Sequence, residues 1–315
     1  MLLHIKDISD YDRIDNQMDN LLDNISDKVI IGIGKIVGIN FPESSLSDKN
    51  KVMKIIKNRG KYNDFMSIVD FMNKSHRNNI IELLQKTKRT IESYIQSLQF
   101  YKDINVDDIR NKTADIKDNL KFNKKTAYLL DINDNNKYIS FDIQSANFTS
   151  LKIISNGHIT ETWDEFFRRL VPNDVRTASK RNIEANIVGL TVDIPKCFYE
   201  SKYVRQYVLG DLKKLRIIWE YENVKYLQKI CELNLQNNIC VNSDEIVIEV
   251  KDYDEADNIK KMVPFNNIHR VKEFQIFKID GYRKNYMFKH FRDGTKTLVN
   301  IDPEYYDEIY EKLIK

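Results

Sequence analysis

Cysteine is scarce: Cys197, Cys231 and Cys240 are the only three, widely spaced and odd in number. That argues against a disulfide framework or a zinc site and points to free thiols in a reducing compartment. Net charge is nearly absent as well. Fifty Lys and Arg stand against forty-seven Asp and Glu, a formal +3 at pH 7. A general basic coat is excluded, whereas a local basic groove is not. No apolar run is long enough to span a bilayer, and Met1-Leu2-Leu3-His4-Ile5-Lys6-Asp7 turns charged too early for a secretory signal, so no membrane partner is expected. Internal repeats and low-complexity linkers are missing too. The nearest approach to a phosphate loop, Ile30 to Gly38, lacks both the Gly-Lys-Ser/Thr ending and the full dinucleotide spacing. Its glycines read as points of close packing.

What is present is enough for a core. The chain has 315 residues, 42% of them hydrophobic, which suits one large domain or two smaller ones. Residues from about 10 to 125 read mainly as helix, with Ser44 to Asp48 as a loop or cap. From Ser75 a long helix is expected: Ile80, Ile81, Leu84, Ile91, Tyr94, Ile95 and Leu98 recur at three- and four-residue steps. Its other face carries Arg77, Lys86, Lys88 and Arg89, either simply solvated or tracking a nucleic-acid backbone. Lys112 to Lys125 reads as a polar connection. Strand-rich chain follows. Ala127 to Ile132 and Tyr138 to Ile143 flank the turn signal Asn133-Asp134-Asn135-Asn136 and read as a hairpin. Asp142 interrupts the second strand just before a helix over Ser145 to Ile153, a place for a metal ligand or a simple cap.

Short helices are expected over Thr162 to Leu170, stopped by Pro172, and from a cap at Asp174 to Gly189. On the latter, Arg176 and Lys180 are four apart and share a face. Tyr199 to about Asn238 is helical in two pieces, broken at Gly210-Asp211 or Glu222-Asn223. Glu255 to Val263 forms another helix. Phe274 to Ile279, Tyr286 to Phe291 and Thr297 to Ile301 read as antiparallel strands, with Asp293-Gly294 as a turn, and Pro303 opens a last helix.

The organising stretch is Cys240 to Val250. Strand-forming residues flank Asn242-Ser243-Asp244-Glu245, predicting a hairpin with two adjacent acids at its tip. Adjacent strand residues point to opposite faces, so one acid at most faces a given site squarely. Like charges held beside apolar chain repel, and a divalent metal would remove the conflict. Solvated acids at an ordinary strand end are the plainer alternative.

In chain order stand an acid at a strand end, a helix with Arg and Lys one turn apart, and a hairpin with paired acids. Together they resemble the palm of a family A (polymerase I-like) DNA polymerase, over about residues 140 to 263. Asp142-Ile143-Gln144-Ser145 resembles that family's first motif, Arg176 to Gly189 its second, and Val241 to Val250 its third. The resemblance implies an α+β chain. Residues 1–125 would be a mainly helical, thumb-like region. Residues 126–315 would be a palm-like core with an antiparallel sheet, fingers reduced to about 160–235, and a C-terminal hairpin and helix. It implies a template-dependent nucleotidyltransferase extending a primer 3′-hydroxyl with Mg²⁺ or Mn²⁺. Asp142 and Asp244 would hold the metals, with the Ile143 carbonyl adding a ligand and Glu245 either beside the primer end or hydrogen-bonded behind the metal ligands. Arg176 and Lys180 would bind phosphates, and Lys180 would protonate the leaving group. The implied partners are a DNA primer–template, nucleoside triphosphates and replication proteins, in the cytoplasm or nucleus or at a viral replication site. The abundance of Asn, Ile, Lys, Asp and Tyr fits an AT-rich viral or mobile element by association. The chain departs from the family at Ser243, Val188, Glu184 and Asn147, where the family has His, Tyr, an aromatic and Glu. A palm-like protein that binds DNA or a replication partner without catalysis, or a helical structural protein, is the alternative.

Overall fold

The computed structural model describes residues 22, 25–75, 80–120, 122, 136–171, 193–235, 237–242, 244–263, 266–282 and 286–313. It is an α+β chain. In order come α1 (Asp27–Val37), α2 (Glu43–Leu46), α3 (Lys49–Asn58), α4 (Tyr62–Lys74), α5 (Ile80–Ser97), α6 (Gln99–Lys102), α7 (Val106–Asp118) and β1 (Lys137–Ile143). Then follow α8 (Ala146–Ile154), α9 (Trp163–Leu170), α10 (Lys196–Tyr199), α11 (Lys202–Leu209), α12 (Lys213–Glu232), β2 (Ile239–Asn242) and β3 (Glu245–Val250). The chain closes with α13 (Tyr253–Met262), β4 (His269–Ile279), β5 (Tyr286–Phe291), β6 (Lys296–Val299) and α14 (Pro303–Leu313). Among the described residues no helix is long and apolar enough to cross a membrane, and none of the three cysteines forms a disulfide.

Two compact units are present: Met1–Ile91 with Thr162–Val208 and Pro303–Asp307, and Glu92–Glu161 with Leu209–Asp302 and Glu308–Lys315. The helical stretch over 1–125 thus contributes to both. In the first unit, Ile30, Ile33, Ile56, Phe65, Ile68, Phe166 and Phe198 are buried. Gly34 has no side chain because the Phe41 ring and the Ile39 carbonyl occupy the space a Cβ would need, so the glycines of α1 are packing contacts. Helix α9 begins in a reciprocal cap: Thr162 Oγ1 accepts from the Glu165 N–H, and the Glu165 side chain accepts from the Thr162 N–H. The Trp163 indole donates to the Tyr199 carbonyl at 2.6 Å.

The second unit holds a six-stranded antiparallel sheet of order β2-β3-β1-β4-β5-β6. Both edges of β1 are taken, by β3 and β4. The expected partner strand, Ala127 to Ile132, lies outside the described residues. Ile139, Phe141, Ile246, Ile248 and Val250 alternate onto one face. There they pack with Tyr226, Leu227 and Ile230 of α12 and with Ala256 and Ile259 of α13. The break between α11 and α12 falls at residues 210–212. Helix α7 runs through residues 112–118, where a polar connection was expected. It is capped by Asn105, whose side chain accepts from the Asp108 N–H, and buries only Thr113 fully.

Candidate active site on the acidic hairpin

Alternation along β1 sends Tyr138, Ser140 and Asp142 to the face opposite α12 and α13. The register then decides which acid meets Asp142. Its Cα partner on β3 is Glu245, and two carboxylates stand directly opposite on one face. Asp244 is the turn residue before Glu245, and its backbone carbonyl accepts from the Ile143 N–H at 3.0 Å. On the other side, the Gln144 N–H donates to the Ile268 carbonyl at 3.1 Å. Ser145 then takes a left-handed conformation (φ 54°, ψ 48°) and opens α8. The chain therefore leaves the sheet abruptly just past Asp142, which fixes the acid at the sheet corner.

Like charges directly opposite are destabilising. Here a lysine from β4 and another from β5 offset them. Lys272 Nζ on β4 lies 2.9 Å from Asp142 Oδ2, and Lys289 Nζ on β5 lies 3.5 Å from Glu245 Oε1. The Glu245–Lys289 pair is the more shielded, with side chains 12% and 13% exposed against 28% and 30% for Asp142 and Lys272. Burial pulls the Lys289 ammonium below the ordinary lysine range, and Glu245 opposes that shift. The Lys289 ammonium also lies 4.3 Å from the centroid of the Phe274 ring. Ser140 is fully buried on the same face, and its hydroxyl has no hydrogen-bond partner among the described residues.

On the opposite face, His269 pairs in register with Ile143. Its ring stacks on Tyr226 at 4.2 Å, and its Nε2 lies 3.3 Å from Asn223 Oδ1. Burial lowers its pKa from 6.5 to about 4.

The structure thus brings Asp142 and Glu245 together, with Ile143 and Asp244 joined through backbone. Arg176 and Lys180 lie outside the described residues, as do Ser243, Glu184 and Val188. Asn147 sits in the first turn of α8. Lys272 and Lys289 were missed at the sequence level. Neither lysine carries a local signal: the front of β4, His269 to Glu273, is largely polar, and each lysine meets its acid from a strand distant in sequence. Among the described residues no group of three or more His, Cys, Asp or Glu is arranged to hold a metal ion. Comparison with protein-family models, curated proteins and solved structures returns no match.

Proposed function

We propose that this chain is a template-dependent nucleotidyltransferase of palm type, extending a primer 3′-hydroxyl on DNA. The observation that carries the reading is the pairing of Asp142, at a strand end, with Glu245, at a hairpin tip, on the sheet face away from α12 and α13. Carboxylates held in register from two strands are what a phosphoryl-transfer centre uses to gather divalent cations. The donor set suits magnesium, which binds through one or two carboxylates and lets substrate phosphates complete its shell. Asp142 and Glu245 would hold it, with Asp244 beside them. When bound, magnesium supplies activation of the primer hydroxyl and neutralises charge on the triphosphate. Lys272 and Lys289 put positive charge on the same face, where a triphosphate would be bound. Phosphate-binding roles for Arg176 and Lys180 rest on the sequence resemblance.

A primer-extension assay with Mg²⁺ or Mn²⁺, run separately with dNTPs and NTPs, tests this reading. Asp142→Asn and Glu245→Gln should each lower the rate about a hundredfold or more, since removing a metal ligand takes away several kcal/mol of transition-state stabilisation. Extension that survives Asp142→Asn, or that needs no divalent cation, contradicts it.

A second reading has its own observation. Lys272 and Lys289 already neutralise both acids without a cation, which suits a palm-like scaffold that binds DNA or a replication partner without chemistry. Retained DNA binding with no extension by the wild-type chain selects it.

A further inference from the structure

A surface within the first unit joins two cavities. The Ser201 hydroxyl donates to the Ile36 carbonyl at 2.6 Å, tying the start of α11 to the end of α1. Between those elements opens a cleft of about 720 Å³, with Lys35, Lys61, Lys196 and Lys202 on its walls. Asp64 and Glu200 also line it, bridging Lys61 and Lys196 at 3.3 Å each. Lys35 and Lys202 are exposed and have no ion pair among the described residues. Next to the cleft lies a slot of about 230 Å³ walled by Ile31, Ile81, Leu84, Tyr203 and Tyr207, with Lys28 and Lys35 at its rim. The two cavities share Lys35 and Tyr203. One turn apart on α11, Tyr203 and Tyr207 stack at 6.1 Å, and Lys88 Nζ sits 5.1 Å from the Tyr207 ring centroid.

We infer that this surface binds single-stranded nucleic acid, with a base in the tyrosine-walled slot and the adjoining phosphates along the lysine cleft. The chemistry alternates as the ligand does. An apolar slot walled by aromatic rings suits the face of any base, and stacking on such rings tolerates all four. A cleft whose lysines outnumber its acids suits the backbone beside it. The lysine face of α5 read from the sequence contributes Lys88. The inference does not depend on the acidic hairpin, since neither Asp142 nor Glu245 takes part.

The test is fluorescence anisotropy of the full chain with labelled oligothymidylate or oligouridylate in EDTA, so that no divalent cation or nucleotide is involved. The wild type should bind either strand or both, with affinity falling as salt rises. Lys35→Gln with Lys202→Gln should weaken binding and reduce the magnitude of the log–log salt slope by about 1.4, roughly 0.7 for each phosphate left without its lysine. Tyr207→Leu should weaken binding between about fivefold and a hundredfold, the range of one base stack, while Tyr207→Phe should bind like the wild type. Thermal melts of the exposed lysine variants, which leave the core intact, show that the fold is kept. Unchanged affinity and slope in the lysine variants would overturn the inference. So would equal binding of duplex or polyphosphate with no effect of Tyr207→Leu.

Discussion

Asp142 on β1 and Glu245 on β3 are cross-strand partners, and both keep their carboxylates on the sheet face opposite α12 and α13. Two acids in that relation gain from a shared cation. On the proposed function, Mn²⁺ at a hundred times its dissociation constant should stabilise the wild type by about 2.7 kcal/mol, the linkage expected of a ligand that binds only the folded chain. Asp142→Asn should abolish that gain. Denaturant titrations with and without Mn²⁺ measure it, and equal stabilisation of both proteins would count against the pair.

The two lysines should differ in weight. Lys289 and Glu245 are largely shielded from solvent, so Lys289→Met takes a poorly screened ammonium from the Glu245 carboxylate and should cost about 3 kcal/mol. Lys272 and Asp142 are about a third exposed, where solvent screens the pair, and Lys272→Met should cost about 1 kcal/mol or less. Equilibrium unfolding in urea gives both values, and the reverse order would be inconsistent with this burial.

His269 makes stability pH-dependent. Its folded pKa is about 4 against 6.5 for an ordinary histidine, so between those values the unfolded chain binds a proton that the native chain refuses. Stability should therefore fall as pH drops from 6.5 toward 4, by on the order of 2–3 kcal/mol. His269→Phe keeps an aromatic ring on Tyr226 and removes the titration. The difference between wild-type and variant stability should change across that window, and a constant difference would contradict the assignment.

The α1 glycines should respond unequally to alanine. A Cβ at Gly34 would lie 2.5 Å from Phe41 Cε2 and 2.9 Å from the Ile39 carbonyl oxygen, which is backbone and cannot swing aside. Gly34→Ala should cost about 1–3 kcal/mol, as overpacking does. At Gly32 the nearest atom is Ile80 Cγ2 at 3.0 Å, a side-chain end, and the gain of about 1 kcal/mol in helix propensity offsets the squeeze. Thermal melts of the two variants should place Gly34→Ala well below Gly32→Ala.

The sheet's strand positions were legible in the sequence wherever apolar or aromatic residues ran together between turn signals. The hairpin Cys240 to Val250 announced itself by two apolar runs around a polar turn, and β5 by its aromatic content. The front of β4, His269 to Glu273, was not legible, because five largely polar residues give no hydrophobic signal. Long-range partners were hidden for a different reason. Lys272 meets Asp142 from 130 positions away and Lys289 meets Glu245 from 44, distances over which local pattern carries no information. Asp142 was picked out correctly as a strand-end acid. Its register partner could not be, since a shift of one residue would have set Asp244 opposite it.

The most direct measurement is anomalous scattering from crystals of the full chain grown with Mn²⁺. A peak should lie within bonding distance of carboxylate oxygens from both Asp142 and Glu245, with Lys272 and Lys289 turned away from them. Crystals in which both lysines still bridge the acids and no peak lies between the carboxylates would contradict it.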